Sequence, residues 1–271
     1  MKLKPFIITS VAVVLTFSET SAQVFKNDEL TITKIEADTW VIETAENNTM
    51  YMVEGTEKAL LIDTGNKCDS LEEIIRKITT KPLLVLLTHG HSDHTGNIDA
   101  FNEIYLHPAD TVLMDKNYPG KIHYMNDGDV FDLGGKMLEV FHTPAHTPGS
   151  VVLFDAQTQS CFSGDAFGSG LIWLQLRPTA PMSMYVGTCT RMLKAMDEKN
   201  ITKLYCGHYP YVKKAFTKSY VSDMQKLAEA LINGTAPASK PYDIVVSFGC
   251  PNPMITTLGE ASIVYDPEFI K

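Results

Sequence analysis

The order of strand-like and helix-like segments predicts an α/β chain folded as an αββα sandwich, two sheets face to face with helices on their outer sides. Two observations carry this. Strand patterns dominate residues 30–63, a helix follows, strands return over 104–163, and helices return after them. Several of the strands also end in a glycine beside a histidine or aspartate, and loops at strand ends are where an α/β sheet gathers its functional groups. With 271 residues, 44% of them hydrophobic, the chain suits one large domain.

Taken in order, residues 30–63 read as strands broken by turn signals at Glu46-Asn47-Asn48 and Glu54-Gly55. Over 70–78, Leu71, Ile74, Ile75 and Ile78 fall on one helical face. Residues 82–87 form an apolar run expected to be a buried strand, and a short helix is expected from Thr95. Further strands are expected at 104–106, 130–133, 137–141, 151–155, 160–163 and 203–206, and helices at 182–198 and 218–231. The tail reads as two more strands, 242–248 and 261–265. No low-complexity linker and no short-period repeat interrupts this pattern.

Residues 1–22 stand apart. Lys2 and Lys4 precede an apolar run from Pro5 to Phe17, followed by polar residues and the small pair Ser21-Ala22. That layout is a secretory signal, too short to span a bilayer, with cleavage expected after Ala22. It predicts an exported protein, periplasmic or secreted, whose domain is residues 23–271 and which keeps no stable membrane insertion once the signal is removed. No cysteine follows the apolar run at lipoprotein distance. The formal charge of the whole chain is −9, and losing Lys2, Lys4 and Glu19 makes the remainder one unit more negative. Such an acidic protein is a poor partner for nucleic acid and suits a small-molecule substrate. Cysteines 68, 161, 189, 206 and 250 include no Cys-x-x-Cys pair. One disulfide is open to them by compartment, while the apolar contexts of Cys161 and Cys206 favour buried thiols.

The decisive segment is His89-Gly90-His91-Ser92-Asp93-His94, directly after the strand at 82–87. Three imidazoles and a carboxylate this close repel if charged and compete for water if neutral, unless a cation holds them. The loop projects His89 and His91 to one side and Asp93 and His94 to another, which suits two adjacent metal ions better than one. Downstream, the Pro- and Gly-containing loop 143–150 fixes His146. The strand ending Ser163-Gly164-Asp165 presents an aspartate, and the strand ending Cys206-Gly207-His208 presents a further histidine. His142 reads as a loop histidine bonded to backbone, His107 as a strand-end residue, and His123 as surface or edge strand.

The series Leu61-Ile62-Asp63-Thr64-Gly65, His-x-His-x-Asp-His, lone His, Gly-Asp, Gly-His resembles the metallo-β-lactamase fold superfamily over nearly all of residues 23–271. The resemblance implies one metal on His89, His91 and His146, a second on Asp93, His94 and His208, and Asp165 bridging them with a hydroxide that acts as nucleophile. Asp93 would orient that hydroxide and move its proton, making it the catalytic side chain. Asp63 would be a buried carboxylate orienting a ligand histidine, although a turn residue after a strand is an equal reading of its position. Donors that are mostly imidazole, with carboxylate and no thiolate, make two Zn2+ the expected cofactors, with iron or manganese as alternatives.

Within the superfamily, the histidine-rich true β-lactamases share six of these positions but usually lack the bridging aspartate. Asp165 therefore looks like glyoxalase II and the lactonases, and implies a hydrolase of small esters, thioesters or lactones. A β-lactamase is one alternative. A mononuclear-iron persulfide dioxygenase, using positions matching His89, His146 and Asp165, is another. A flavodiiron reductase would carry an acidic residue where His91 stands. Residues 167–178 are Gly-hinged and apolar, and read either as a substrate-covering segment, with Trp173 a wall and Arg177 an anion contact, or as an edge buried in the core. Tyr209 and Tyr211 are candidate hydroxyl donors to an oxyanion, with Tyr209 nearer His208 in sequence. The sequence carries no signal for an oligomeric state.

Overall fold

The computed structural model describes residues 22–270. The signal read from residues 1–22 thus lies outside the described residues, save Ala22, which opens the first strand.

One sheet has eight strands in chain order: β1 (Ala22–Lys26), β2 (Leu30–Glu36), β3 (Thr39–Thr44), β4 (Thr49–Glu54), β5 (Ala59–Ile62), β6 (Leu83–Leu86), β7 (Glu103–Leu106) and β8 (Lys121–Tyr124). Pairing is antiparallel from β1 to β5 and parallel from β5 to β8. A second sheet holds β9 (Val130–Asp132), β10 (Met137–His142), β11 (Val151–Asp155), β12 (Ser160–Phe162) and, parallel to β12, β14 (Lys203–Tyr205). A smaller third sheet joins β13 (Leu171–Leu174) to β17 (Ala261–Tyr265), β16 (Met254–Leu258) and the short β15 (Lys240–Pro241).

Both faces of the central strands are buried, and the two-residue period sorts their side chains between two cores. On β3 to β5, Val41, Tyr51, Val53, Leu60 and Ile62 face Leu138, Val140, Leu153 and Phe162 of the second sheet. Ile42, Met50, Met52 and Leu61 point the other way, onto α1 (Leu71–Arg76) through Leu71, Ile74 and Ile75. The outer face of the second sheet, with Val152, Phe154 and Cys161, is covered by α3 (Met182–Glu198) and α4 (Lys218–Asn233). Their apolar stripes, Tyr185, Cys189, Met192 and Met196 on one and Tyr220, Met224, Leu227 and Leu231 on the other, lie in that same core. Layer by layer, this is the expected αββα sandwich.

Two expectations need correction, and one pair of alternatives is resolved. The helical turn at the ligand segment is α2 (Ser92–Thr95), so Thr95 ends it rather than begins it. Residues 242–248 are not a strand, because Val246 accepts a turn bond from the Gly249 N–H. The strand that pairs antiparallel with β17 is β16 instead. The segment 167–178 is also more core than cover: Phe167, Ile172 and Leu174 are buried, and β13 runs parallel to β17. All five cysteines are free and buried.

A buried ion cluster ties the β9–β10 hairpin to the end of β11. The Lys136 ammonium lies 2.7 Å from Asp38 and 2.9 Å from Asp155, whose side chain is fully buried. Removing the cation leaves the buried Asp155 charge without its counter-ion. Lys136→Met is expected to lose about 3–5 kcal/mol in a denaturant titration, and Lys136→Met with Asp155→Leu to regain most of that loss.

Candidate metal centre

Parallel pairing sets strand ends side by side. In the first sheet Ile62 pairs with Leu86, which puts Asp63 next to the chain entering His89. In the second sheet Phe162 pairs with Tyr205, which puts Asp165 next to the chain entering His208. The His146 loop leaves β10 at the same edge, and Thr143 and Ser150 close its base through a 2.8 Å backbone bond. The two Gly positions are explained by crowding: a side chain at Gly207 would collide with Asp165 Oδ1 and with the His94 ring, and one at Gly164 would collide with Thr88.

Two groups of ligand atoms result, each with its members within 4.8 Å of one another: His89, His91 and His146, and Asp93, His94, Asp165 and His208. These are the seven side chains singled out in the sequence. Asp165 touches both groups, with Oδ1 3.6 Å from His94 Nε2 and Oδ2 3.2 Å from His208 Nε2 and 3.8 Å from His146 Nε2. Buried atoms left without a hydrogen-bond partner among the described residues include His89 Nε2, His91 Nε2 and Asp165 Oδ1. Orphaned donors and acceptors of this kind are rare in a folded interior and mark a place where a further group binds. The donor set therefore fits a pair of divalent cations.

The opposite nitrogens of the rings are tied down. His94 Nδ1–H donates to Asp63 Oδ2 at 2.8 Å. Thr88 donates its hydroxyl to the same Asp63 oxygen at 2.8 Å, so its oxygen accepts from His89 Nδ1–H at 3.1 Å. His146 Nδ1–H donates to the Trp173 carbonyl at 2.8 Å and His208 Nδ1–H to the Asn47 carbonyl at 3.1 Å. Each bond fixes a tautomer whose Nε2 lone pair faces inward. The exception is His91, whose Nδ1 stands 2.7 Å from His146 Nε2.

Electrostatics divides the two groups. Burial, then the neighbouring imidazoles, hold His89 far below its usual range, and burial and His146 push His91 down to about 2. Both are neutral lone-pair donors. Burial also works to lower His94 and His208, but Asp93, Asp165 and Asp63 around the first and Asp165 beside the second outweigh it and raise both. For Asp165, burial is overcome by His208 and His94, which hold its carboxyl well below the usual range.

Asp63 has the backbone of a turn residue and the contacts that an orienting carboxylate would make. It adopts φ +63°, is buried, and accepts from the Thr88 N–H at 2.7 Å as well as from His94. Two further residues had no sequence signal. Asn48 is buried and directs its Nδ2 to Asp93 Oδ2 and His94 Nε2, both at 3.2 Å. Asp110 is fully buried and accepts from the Gly90 N–H at 2.9 Å and from the Thr147 hydroxyl and Gly149 N–H at 2.6 Å, clamping the His89 and His146 loops together. A turn of Pro-Ala-Asp residues looks like any other loop in sequence, which is why Asp110 was missed.

The expected substrate contacts separate. Trp173 serves through its backbone, and its ring packs edge-on against Tyr242. Arg177 is engaged within the fold: its guanidinium binds Asp266 at 2.6 Å and covers the Phe269 ring. Tyr209 turns toward Tyr205 and the core between the sheets, whereas the Tyr211 ring, two-thirds exposed, lies against His208. His142 bonds the Pro148 carbonyl at 2.9 Å as expected, but as the last residue of β10 rather than in a loop, and it stacks on His107; His123, on the edge strand β8, pairs with Glu103 of β7.

The family model described as metallo-beta-lactamase superfamily matches residues 44–208. The chain belongs to that superfamily. It is 30% identical over 211 residues to the acyl-coenzyme A thioesterase MBLAC2 of Homo sapiens, covering 62% of this chain and 75% of that one. Among solved structures, a metallo-beta-lactamase from Pontibacter korlensis superposes with a TM-score of 0.60 at 23% identity, over 74% of this chain and 99% of that one. TTHA1623 in a di-iron-bound form superposes with a TM-score of 0.53 at 27% identity, over 65% of this chain and 93% of that one.

Because Asp63 reaches the centre only through His94 and Thr88, Asp63→Asn is expected to leave the chain folded while weakening metal affinity about 10–100-fold. Competition against a chromophoric chelator measures this, and an unchanged affinity would remove Asp63 from the orienting role.

Proposed function

We propose that this metal-dependent hydrolase cleaves a small ester, thioester or lactone-like acyl substrate, with His89, His91 and His146 holding one divalent cation, Asp93, His94 and His208 a second, and Asp165 shared between them. The observation that carries the reading is the pair of ligand groups meeting at Asp165 while the buried His89 Nε2 and Asp165 Oδ1 lack partners. Zinc suits these donors best. The di-iron form of TTHA1623 keeps iron as the second choice.

Cations in such a centre polarise an acyl carbonyl and acidify water to its nucleophilic form near neutral pH. The chain's own part is positioning and proton transfer. Asp93 is more than a third exposed at its side chain while its Oδ2 lies 3.6 Å from His208 Nε2, so it faces both the centre and incoming substrate. It is the group placed to accept the proton of an attacking water and pass it to the leaving oxygen or sulfur. Asn48 holds that carboxylate by its Nδ2. Tyr211, against His208, is the nearer tyrosine to the centre.

Similarity to an acyl-coenzyme A thioesterase supports acyl transfer to water over β-lactam opening, since the β-lactamase likeness at 23% identity is one of fold alone. Among the described residues no helix is long and apolar enough to cross a membrane. The basic and then apolar run of residues 1–22 supports export of the remainder, to periplasm or medium.

The test is metal analysis of the purified chain together with a hydrolysis panel of thioesters, lactones, β-lactams and phosphodiesters. Two cations per chain and turnover of the acyl compounds are expected. Chelation should abolish that turnover, and restoring metal should return it. Asp165→Asn is expected to retain fewer than two cations and lose more than about 100-fold in kcat/KM, beyond the range of an outer partner. One iron per chain with no hydrolysis would favour the persulfide dioxygenase instead.

A further inference from the structure

Three of the large apolar side chains that the described residues leave exposed fall within five positions of one loop: Ile244, Val245 and Phe248, at 50%, 57% and 51% exposure. An apolar group held in water forgoes the stabilisation of burial, and a cluster of them beside a site marks a surface meant to be covered. This loop is not slack. Arg177 donates its backbone N–H to the Phe248 carbonyl at 2.9 Å, Cys250 donates to Gln175 at 3.0 Å, and Leu176 bridges to Gly249. At its start the Tyr242 ring packs against Trp173, whose carbonyl anchors His146. The apolar side chains are thus presented outward on a backbone stapled at both ends.

Phe248 brings this loop to the edge of the centre. The Phe248 ring lies 6.0 Å from the ring of His91, in the first ligand group, while the exposed Tyr211 ring lies 6.0 Å from that of His208, in the second. Two aromatic side chains therefore flank the ligand groups from opposite members. No lysine or arginine occurs between Lys240 and Lys271, so the loop offers nothing to a phosphate or to an anionic headgroup. Three side chains also present much less than the roughly 800 Å² per partner of a stable protein interface.

The geometry points to Ile244, Val245 and Phe248 as a subsite for the aliphatic acyl chain of the substrate. The inference rests on the hydrolytic reading above and names its substrate class: medium-chain acyl esters or thioesters in preference to acetyl ones. With the carbonyl at the ligand groups, the first methylenes of the chain lie against Phe248 and the later ones against Ile244 and Val245. Their contribution is hydrophobic and grows with chain length.

The test compares acetyl and decanoyl thioesters, and the corresponding 4-nitrophenyl esters, on the metal-loaded wild type, on Ile244→Ser with Val245→Ser, and on Phe248→Ala. Wild type is expected to prefer decanoyl in kcat/KM, and each variant to lower the decanoyl-to-acetyl ratio about tenfold. A flat chain-length profile, or variants that leave the ratio unchanged, overturns the subsite. Calorimetric binding of decanoate and acetate gives a readout that needs no turnover. Decanoate binding that weakens in the variants supports the subsite even where no ester is cleaved, in which case the hydrolytic reading alone falls. Decanoate that binds no more tightly than acetate overturns it, as does concentration-dependent dimerisation of wild type that the variants abolish.

Discussion

Imidazoles crowded in a buried hollow keep their order when their ring orientations are fixed from outside, and that constraint governs four of the five rings at this centre. Asp63, Thr88, the Trp173 carbonyl and the Asn47 carbonyl each hold one Nδ1. The four restraints come from four separate segments, so the ring positions depend on the whole sandwich being assembled. Asp63 carries the largest share, since a single left-handed residue receives bonds from both the strand end before His89 and the ring of His94. Restraint of this kind lowers the reorganisation needed when a ligand binds.

The two sheets supply what no single sheet could. The first contributes His89, His91, Asp93 and His94 from one loop, and the second contributes His146, Asp165 and His208 from three strand ends. The hydrophobic layer between the sheets, filled by Tyr51, Phe162, Leu138 and Leu153 among others, sets how far apart these edges stand. Tyr51 also donates its hydroxyl to the Cys206 carbonyl at 2.7 Å, which links the core directly to the segment bearing His208. Packing in the interior is therefore coupled to ligand spacing, because a close-packed core transmits displacement rather than absorbing it.

Much of this was legible in the sequence where a short-range pattern carried it. The two-residue alternation of β3 to β5, the stripes of α3 and α4, and the Gly-Asp and Gly-His strand ends all declare themselves locally. Asn48 and Asp110 did not, because their partners lie 45 and 20 or more residues away and neither position has a composition that distinguishes it from a turn. Arg177 misled for the same reason: a basic residue near a ligand looks available until Asp266, 89 residues on, is seen to hold it. The tail misled in another way. Residues 242–248 alternate like a strand, yet Val246 accepts a turn bond from the Gly249 N–H, β16 pairs with β17 instead, and Ile244, Val245 and Phe248 stand in solvent.

Asp110 gives the ligand loops a common hinge pin. With the Gly90, Thr147 and Gly149 contacts all on one carboxylate, the His89 and His146 loops are mechanically a single piece, although 37 residues separate Asp110 from Thr147. The exposed turn of residues 115–117 that follows Asp110 can therefore vary without passing its changes on to the ligand rings, whereas the β9–β10 hairpin, whose Leu138 and Val140 fill the layer between the sheets, cannot. The part of the molecule open to diversification and the part that must stay fixed are joined at one buried side chain, and the chain can alter the former while conserving the latter.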